Sequence, residues 1–196
     1  MNQEKVWDTV ADDWANFRTR PVNEVVGFID NKCGSVLDLG CGSGRNFIKS
    51  DDLEIYGVDF SQKLLDIANK KRDYVELKKG TTDKIPYGDE MFDYIIFVRV
   101  LHCVETEKQR RKSLEELYRV LKKGGEAVIS TIGPQNRRMK NKPKESVMPW
   151  TVKGHKHERY NYTYNKEEFE GQLKDAGFKI VSIEEEQNIV AVVRKS

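Results

Sequence analysis

No apolar run in this chain approaches the length of a membrane span. The longest candidate, Tyr94 to Val98, ends at Arg99, whereas a spanning helix needs about 20 such residues. Cysteine is scarce as well. Cys33, Cys41 and Cys103 are an odd number at wide spacing, which argues against a disulfide framework and fits a reducing compartment. There is no C-x-x-C pair, so no metal site is expected. The N-terminal stretch lacks the basic start and apolar stretch of a secretion signal, and a cytoplasmic protein is the expectation. No repeat or low-complexity linker divides the 196 residues, so a single domain over residues 1–196 is expected.

Charge is plentiful and unevenly placed. Charged residues make up 34% of the chain and the net charge is only +2. Yet residues 131–160 hold eight lysines and arginines against Glu145 and Glu158, a local +6 that leaves −4 for the remainder. One basic segment on a mildly acidic body reads either as a solvated loop or as a patch for nucleic acid.

Hydrophobic periodicity supplies the elements. Val6–Ala15 reads as an amphipathic helix, and Asn23–Asn31 as a second one after Pro21. Ser35–Leu39 and Ile55–Val58 read as buried strands. Ser61 is placed to cap a helix over Gln62–Lys71. Tyr74–Lys78 alternates like an edge strand, and Phe92–Val98 is apolar enough for a central parallel one. Thr106 with Gln109 suits a capping box, opening a helix to about Leu121 that stops at Gly124-Gly125. Glu126–Thr131 is a further strand. Periodicity then disappears over residues 133–164, a basic and aromatic insertion expected to form part of a substrate site. Asn165 and Glu168 can cap a last helix to Ala176, and Lys179–Glu185 with Asn188–Arg194 read as a closing hairpin. Strands alternating with helices predict an α/β, doubly wound parallel sheet with helices on both faces.

The segment VLDLGCGSG (Val36–Gly44) spells D-x-G-x-G-x-G with Asp38, Gly40, Gly42 and Gly44, and is expected to follow a strand and precede a helix. In doubly wound sheets ligands bind past the carboxyl ends of the strands. Phosphate-loop and dinucleotide patterns both fail at Arg45. A carboxylate before the glycines would repel a pyrophosphate but suits a ligand bearing an ammonium and a sulfonium. Asp59 follows 19 residues after Gly40. Alone it is an ordinary strand-end aspartate; after this loop it reads as the acceptor for both ribose hydroxyls.

These residues resemble the first motif of the class I S-adenosylmethionine-dependent methyltransferases, and LKKGGEAVIS (Leu121–Ser130) is similar to that superfamily's fifth-strand entry. The resemblance implies S-adenosylmethionine as cofactor and a Rossmann-like seven-stranded sheet in the order 3-2-1-4-5-7-6 with strand 7 antiparallel. It also implies cofactor contacts at Phe60, Val98, Thr81 and Thr82. The last two stand where an acidic residue often meets the adenine; Asp83 beside them is an adenine ligand or a surface residue.

Four further segments resemble the wobble-uridine tRNA carboxyl methyltransferases, the family that includes the methyltransferase domain of an AlkB homologue. They are VADDWANFRTRPVNEVVGFI (Val10–Ile29), VRVLHCVETEKQRRKSLEELYRVLKKGG (Val98–Gly125), MPW (Met148–Trp150) and ERYNYTYNKEEF (Glu158–Phe169). The chain departs from the family at His102-Cys103, where two histidines are usual, and at Asn161-Tyr162, where a tyrosine-histidine pair is typical. The resemblance implies methylation of the carboxylate of 5-carboxymethyluridine in a tRNA anticodon loop. Such a carboxylate, with a pKa of about 4, is already ionised near neutrality, so the task is positioning. Arginine forks suit it. Arg18 and Arg159 are the candidates, and His102 should face the methyl. Each also reads as an ordinary surface or structural residue. Trp150, Tyr160 and Tyr162 are candidate base-stacking groups, or else core of the insertion, and Arg137, Arg138 and Lys140 candidate phosphate contacts. His155 and His157 read as solvated loop. The resemblance further implies a small zinc-binding activator protein docked on the edge strand. Two other functions use the same loop: methyl transfer to a small metabolite, and a non-catalytic module that binds cofactor and tRNA.

Overall fold

Side-chain caps start most of the helices. In the computed structural model, which describes residues 2–196, Asn2 opens α1 (Gln3–Phe17) by accepting from the Lys5 N–H. Helix α2 (Asn23–Ile29) follows without a side-chain cap. Strands β1 (Gly34–Leu39) and β2 (Leu53–Asp59) lead to α3 (Gln62–Lys71), where Ser61 accepts from Leu64 N–H. Then come β3 (Glu76–Lys79), β4 (Phe92–Val98), a 3-10 turn (Leu101–Cys103) and α4 (Glu107–Val120), capped by Thr106. Strand β5 runs over Leu121–Ile132, β6 over Glu145–Val152 and β7 over His155–Tyr162. Asn165 caps α5 (Lys166–Asp175), and β8 (Lys179–Glu185) with β9 (Asn188–Arg194) close the chain.

Seven strands form one sheet in the order β3-β2-β1-β4-β5-β9-β8. The pairs from β3 to β5 are parallel, and β9 runs antiparallel to both its neighbours. This is the expected doubly wound order. Alternation along the central strands explains the two-sided core. Ile95 and Phe97 of β4 face the larger cluster with Leu114, Leu117, Phe169 and Leu173 from α4 and α5. Ile96 and Val98 face the opposite cluster with Val25, Phe28 and Ile29 of α2. Emptying one such position, as in Phe97→Ala, costs about 3–5 kcal/mol.

Three expectations change. No helix follows the glycine loop: residues 40–52 cross from β1 to β2 as turns and extended chain. Three glycines followed by only eight residues before β2 leave too little sequence for a stable helix. Strand β5 begins at Leu121, directly after α4 and ahead of Gly124-Gly125, so those glycines lie inside the strand. The insertion is no irregular loop either. Its β6 and β7 pair antiparallel from Glu145↔Tyr162 to Val152↔His155. Their connection, Lys153-Gly154, has positive φ at both residues, 48° and 82°, the geometry a two-residue hairpin turn needs.

Candidate functional site

The carboxyl ends of β1, β2 and β4 open into a cavity of about 530 Å³, lined also by α1, the 3-10 turn and the β6–β7 hairpin. The glycine loop forms one wall. Gly40 has φ +72, and a Cβ there would lie 2.5 Å from Val100. The Gly40 and Cys41 N–H groups both donate to the Val58 carbonyl, at 2.7 and 3.0 Å, so the loop is pulled flat against the end of β2. Gly42, with φ +56, faces open space and donates its N–H to Asp59 Oδ2 at 2.8 Å. The other oxygen of Asp59 accepts from Ser61 N–H at 2.9 Å. The carboxylate still has lone-pair capacity for a hydroxyl donor. Burial raises Asp59 to a pKa of about 6, with the N–H groups of Ser61 and Gly42 opposing that rise.

Asp38 lies behind the loop, buried, with an Oδ2 that has no hydrogen-bond partner among the described residues. Burial raises its pKa to about 7; Arg45 and the Asn46 side chain pull it down and Asp59 pushes it up. An orphaned buried carboxylate oxygen beside a glycine cradle is what an ammonium-bearing nucleoside cofactor would satisfy. Phe60, Thr81, Thr82, Asp83 and Val98 also line the cavity. The Thr82 hydroxyl is hydrogen-bonded to Ser113 Oγ at 2.7 Å. Gly44 does not reach the cavity. It packs on the Phe47 ring, where a Cβ would come within 2.5 Å, so its role is to let the loop close.

On the far wall Arg159 of β7 is only 9% exposed. Its guanidinium sits among three indoles, 5.3 Å from Trp7, 5.1 Å from Trp14 and 5.2 Å from Trp150. Arg18, at the end of α1, stacks on Trp14 at 5.1 Å and Phe17 at 5.5 Å. Neither Nε has an acceptor among the described residues. Burial lowers the pKa of both, and Arg138 adds to it in each case. His102, in the 3-10 turn, is buried with an unpartnered Nδ1. Burial, then Arg159 and Arg99, depress it to about 3, so it is a neutral imidazole.

Tyr160, Arg137 and Arg138 line the cavity, whereas Trp150, Tyr162 and Lys140 do not. Trp150 braces the hairpin against α1: its Nε1 donates to Asp13 Oδ2 at 2.7 Å and its ring meets Trp14 edge-on. Tyr162 belongs to the core. Its hydroxyl donates to Glu168, and the Arg110 guanidinium lies 3.8 Å from its ring centre. Lys140 points to solvent. Sequence reasoning missed Arg45 and Arg99, which bring the arginines on the cavity to six. Arg99 interrupts an apolar strand run, the one signal that could have exposed it. Glu24 partners it at 3.1 Å.

Residues 37–129 match a protein family described as Methyltransferase domain. The chain is 32% identical over 142 residues to the tRNA (carboxymethyluridine(34)-5-O)-methyltransferase alkbh8 of Xenopus tropicalis, covering 71% of this chain and 22% of that protein. It is 34% identical over 128 residues to the tRNA (carboxymethyluridine(34)-5-O)-methyltransferase of Arabidopsis thaliana, covering 64% and 31%. The chain thus spans less than a third of either relative. The crystal structure of the PH0226 protein from Pyrococcus horikoshii OT3 has the same fold, with a TM-score of 0.76 at 22% identity over 100% of this chain and 99% of that one. Sheet order, glycine loop and these matches agree: residues 37–129 carry a methyltransferase domain, and the chain has the fold of S-adenosylmethionine-dependent methyltransferases.

Proposed function

We propose that this protein methylates the carboxylate of 5-carboxymethyluridine at the wobble position of tRNA. The observation that carries the reading is Arg159: a buried guanidinium, held by three indoles, with an unsatisfied Nε on the same cavity as the cofactor loop. A buried cation without a counter-ion is costly, and an anionic acceptor group would supply one. The relatives named as carboxymethyluridine methyltransferases point the same way.

The cofactor supplies an electrophilic methyl on a sulfonium. Asp59 and the backbone of Gly40 and Gly42 hold its nucleoside end. Arg159 and Arg18 orient the acceptor carboxylate in its ionised form toward the methyl that a bound cofactor would supply, so that transfer from sulfur to oxygen would need no proton moved. Neutral His102 neither adds a competing charge nor takes a proton. Tyr160 of the hairpin lies at the acceptor side, and Arg137 and Arg138 face phosphates of the anticodon loop. The reading includes a small zinc-binding activator on β3, the strand that ends the sheet. Glu76–Lys78 and Lys79–Glu4 ion pairs line that strand, at 3.0 and 2.7 Å.

The test is methyl transfer from radiolabelled cofactor to total tRNA, with and without activator, followed by nucleoside analysis. Label in an alkali-labile wobble-uridine ester supports the proposal. Label confined to small metabolites overturns the acceptor. Tight tRNA and cofactor binding with no transfer would make the protein a non-catalytic module.

A further inference from the structure

Gln187 and Asn188, where β8 turns into β9, line the cavity, and the reaction described above engages neither. Their side-chain amides have fixed orientations. An amide oxygen only accepts and an amide NH2 only donates. The Arg137 backbone N–H donates to the Gln187 side chain at 3.1 Å, so the group facing it is Oε1. The Arg138 N–H likewise donates to Asn136 Oδ1 at 3.0 Å. That leaves the Asn136 NH2 to donate, to the Gln187 carbonyl at 3.0 Å and to Asn188 Oδ1 at 3.3 Å. All three side-chain oxygens are thus engaged. The Nε2 of Gln187 and the Nδ2 of Asn188 remain, with no acceptor among the described residues. This stretch of wall can donate to a ligand and has little left to accept with.

Its position assigns it to the acceptor. Asn188 pairs with Ile132 at the carboxyl end of β5, three strand spacings or about 14 Å from β1, well away from the glycine loop. It is joined to the acceptor arginines instead: Arg138, whose N–H Asn136 holds, lowers by its charge the pKa of both Arg159 and Arg18. Gln3 also leaves a buried NH2 unpartnered on the cavity, its Oε1 taken by the Tyr160 N–H at 3.1 Å. Its neighbour Glu4, however, is paired with Lys79 of β3 at 2.7 Å, on the cofactor's side. In a uracil, the carbon that carries the carboxymethyl arm adjoins C4, whose oxygen is an acceptor. Cytosine has an amino donor in that place. Two donors suit the first base and oppose the second.

We propose that Asn188 and Gln187 receive the 4-oxo oxygen of the acceptor base and make the protein select uracil over cytosine. The inference rests on the acceptor proposed above and names the groups that identify its base.

Methyl transfer to two anticodon stem-loops, with and without activator, tests it. The two are identical except for 5-carboxymethyluridine or 5-carboxymethylcytidine at the wobble position. The wild type should favour the uridine stem-loop by roughly 10- to 100-fold in kcat/KM. Asn188→Asp keeps the oxygen that Asn136 holds and turns the NH2 into an acceptor, and Gln187→Glu does the same beside the Arg137 N–H. Each should cut the preference for uridine by about 10-fold or more, whatever the added charge does to RNA affinity in general. An equal fall on both stem-loops would overturn the assignment, by reducing the pair to props of residues 133–139. A preference unchanged in both variants would also overturn it, and would leave the proposed function standing. A wild type that transferred to neither stem-loop would overturn the proposed function, and this inference with it.

Discussion

Arg18 and Arg159 share one aromatic ring: each guanidinium carbon lies 5.1 Å from the centre of Trp14. Two like charges are thus gathered on one indole, each with an Nε that no described residue satisfies. Cation–π attraction, about 2 kcal/mol where water is excluded, offsets part of the repulsion and leaves both forks free for an anion.

Arg159→Ala should therefore lower kcat/KM for methyl transfer by about 100-fold or more and leave cofactor affinity within a factor of about two. Arg159→Lys should rescue little, because an ammonium lacks the planar fork. Transfer assays paired with calorimetry separate the two effects; a variant that lost cofactor binding instead would put Arg159 on the wrong side of the site.

Asp59→Asn should abolish measurable cofactor binding. An amide cannot accept from both the Gly42 and Ser61 N–H groups while also accepting from ribose. Calorimetry with S-adenosylhomocysteine reads this directly, and retained affinity would remove Asp59 from the cofactor site.

Asp38 gives the free protein a pH dependence. Burial raises its pKa to about 7, so below pH 7 it holds a proton that a cofactor ammonium must displace. Cofactor affinity should rise from pH 6 to 8, and binding at pH 6.5 should release protons, measurable as a difference in heat between two buffers. Asp38→Asn should abolish the release. Stability follows the opposite sign. Folded Asp38 and Asp59 keep protons that the unfolded chain loses above its carboxyl pKa of 3.8. The free protein therefore loses stability as pH rises from about 4 to about 7, and cofactor binding should cancel that loss in thermal melts.

His102 stays neutral, at a pKa of about 3 against an ordinary 6.5. Between pH 5.5 and 8 the transfer rate of the wild type and of His102→Gln should run parallel. An acid limb near pH 6.5 present only in the wild type would show that the imidazole titrates during the reaction.

Changing Arg137, Arg138 and Lys140 together to Glu should weaken tRNA binding and flatten its salt dependence, by a slope of about 0.7 for each lost single-strand phosphate contact. Lys144 is left out because it is paired with Glu168 at 2.8 Å. Binding that stayed the same across salt concentrations would remove RNA from this face.

Most of the sheet was legible in the sequence because its strands bury both faces and its helices carry their own caps. Ser61, Thr106 and Asn165 each cap as their spacing predicts. The β6–β7 hairpin was not, for a physical reason. Every residue of β6 is at least partly exposed, and the surface it meets belongs to Trp14 and Phe17 of a helix more than a hundred residues earlier in the chain. A segment whose apolar partner lies elsewhere has no periodicity of its own. Tyr162 misled by position: it packs inward against Arg110 and Glu168, while Tyr160, two residues earlier on the same face of β7, lines the cavity. Arg45 and Arg99 carry no motif, and their convergence depends on a loop and a strand end that only the fold brings together.

The crossover from β1 to β2 lacks a helix, so few bonds hold its middle. Beyond the two N–H groups on Val58, the Gly42 N–H on Asp59 and the Tyr74 hydroxyl on the Phe47 carbonyl, the backbone of residues 40–52 relies on turn contacts such as Phe47 N–H to the Gly44 carbonyl at 3.3 Å. Amides there should exchange with solvent through local breathing well before the sheet opens. A ligand lying across Gly40 and Gly42 supplies the cover a helix gives elsewhere in the fold. The crossover would then be completed by the cofactor, and the protection factors of this one loop would report occupancy of the site.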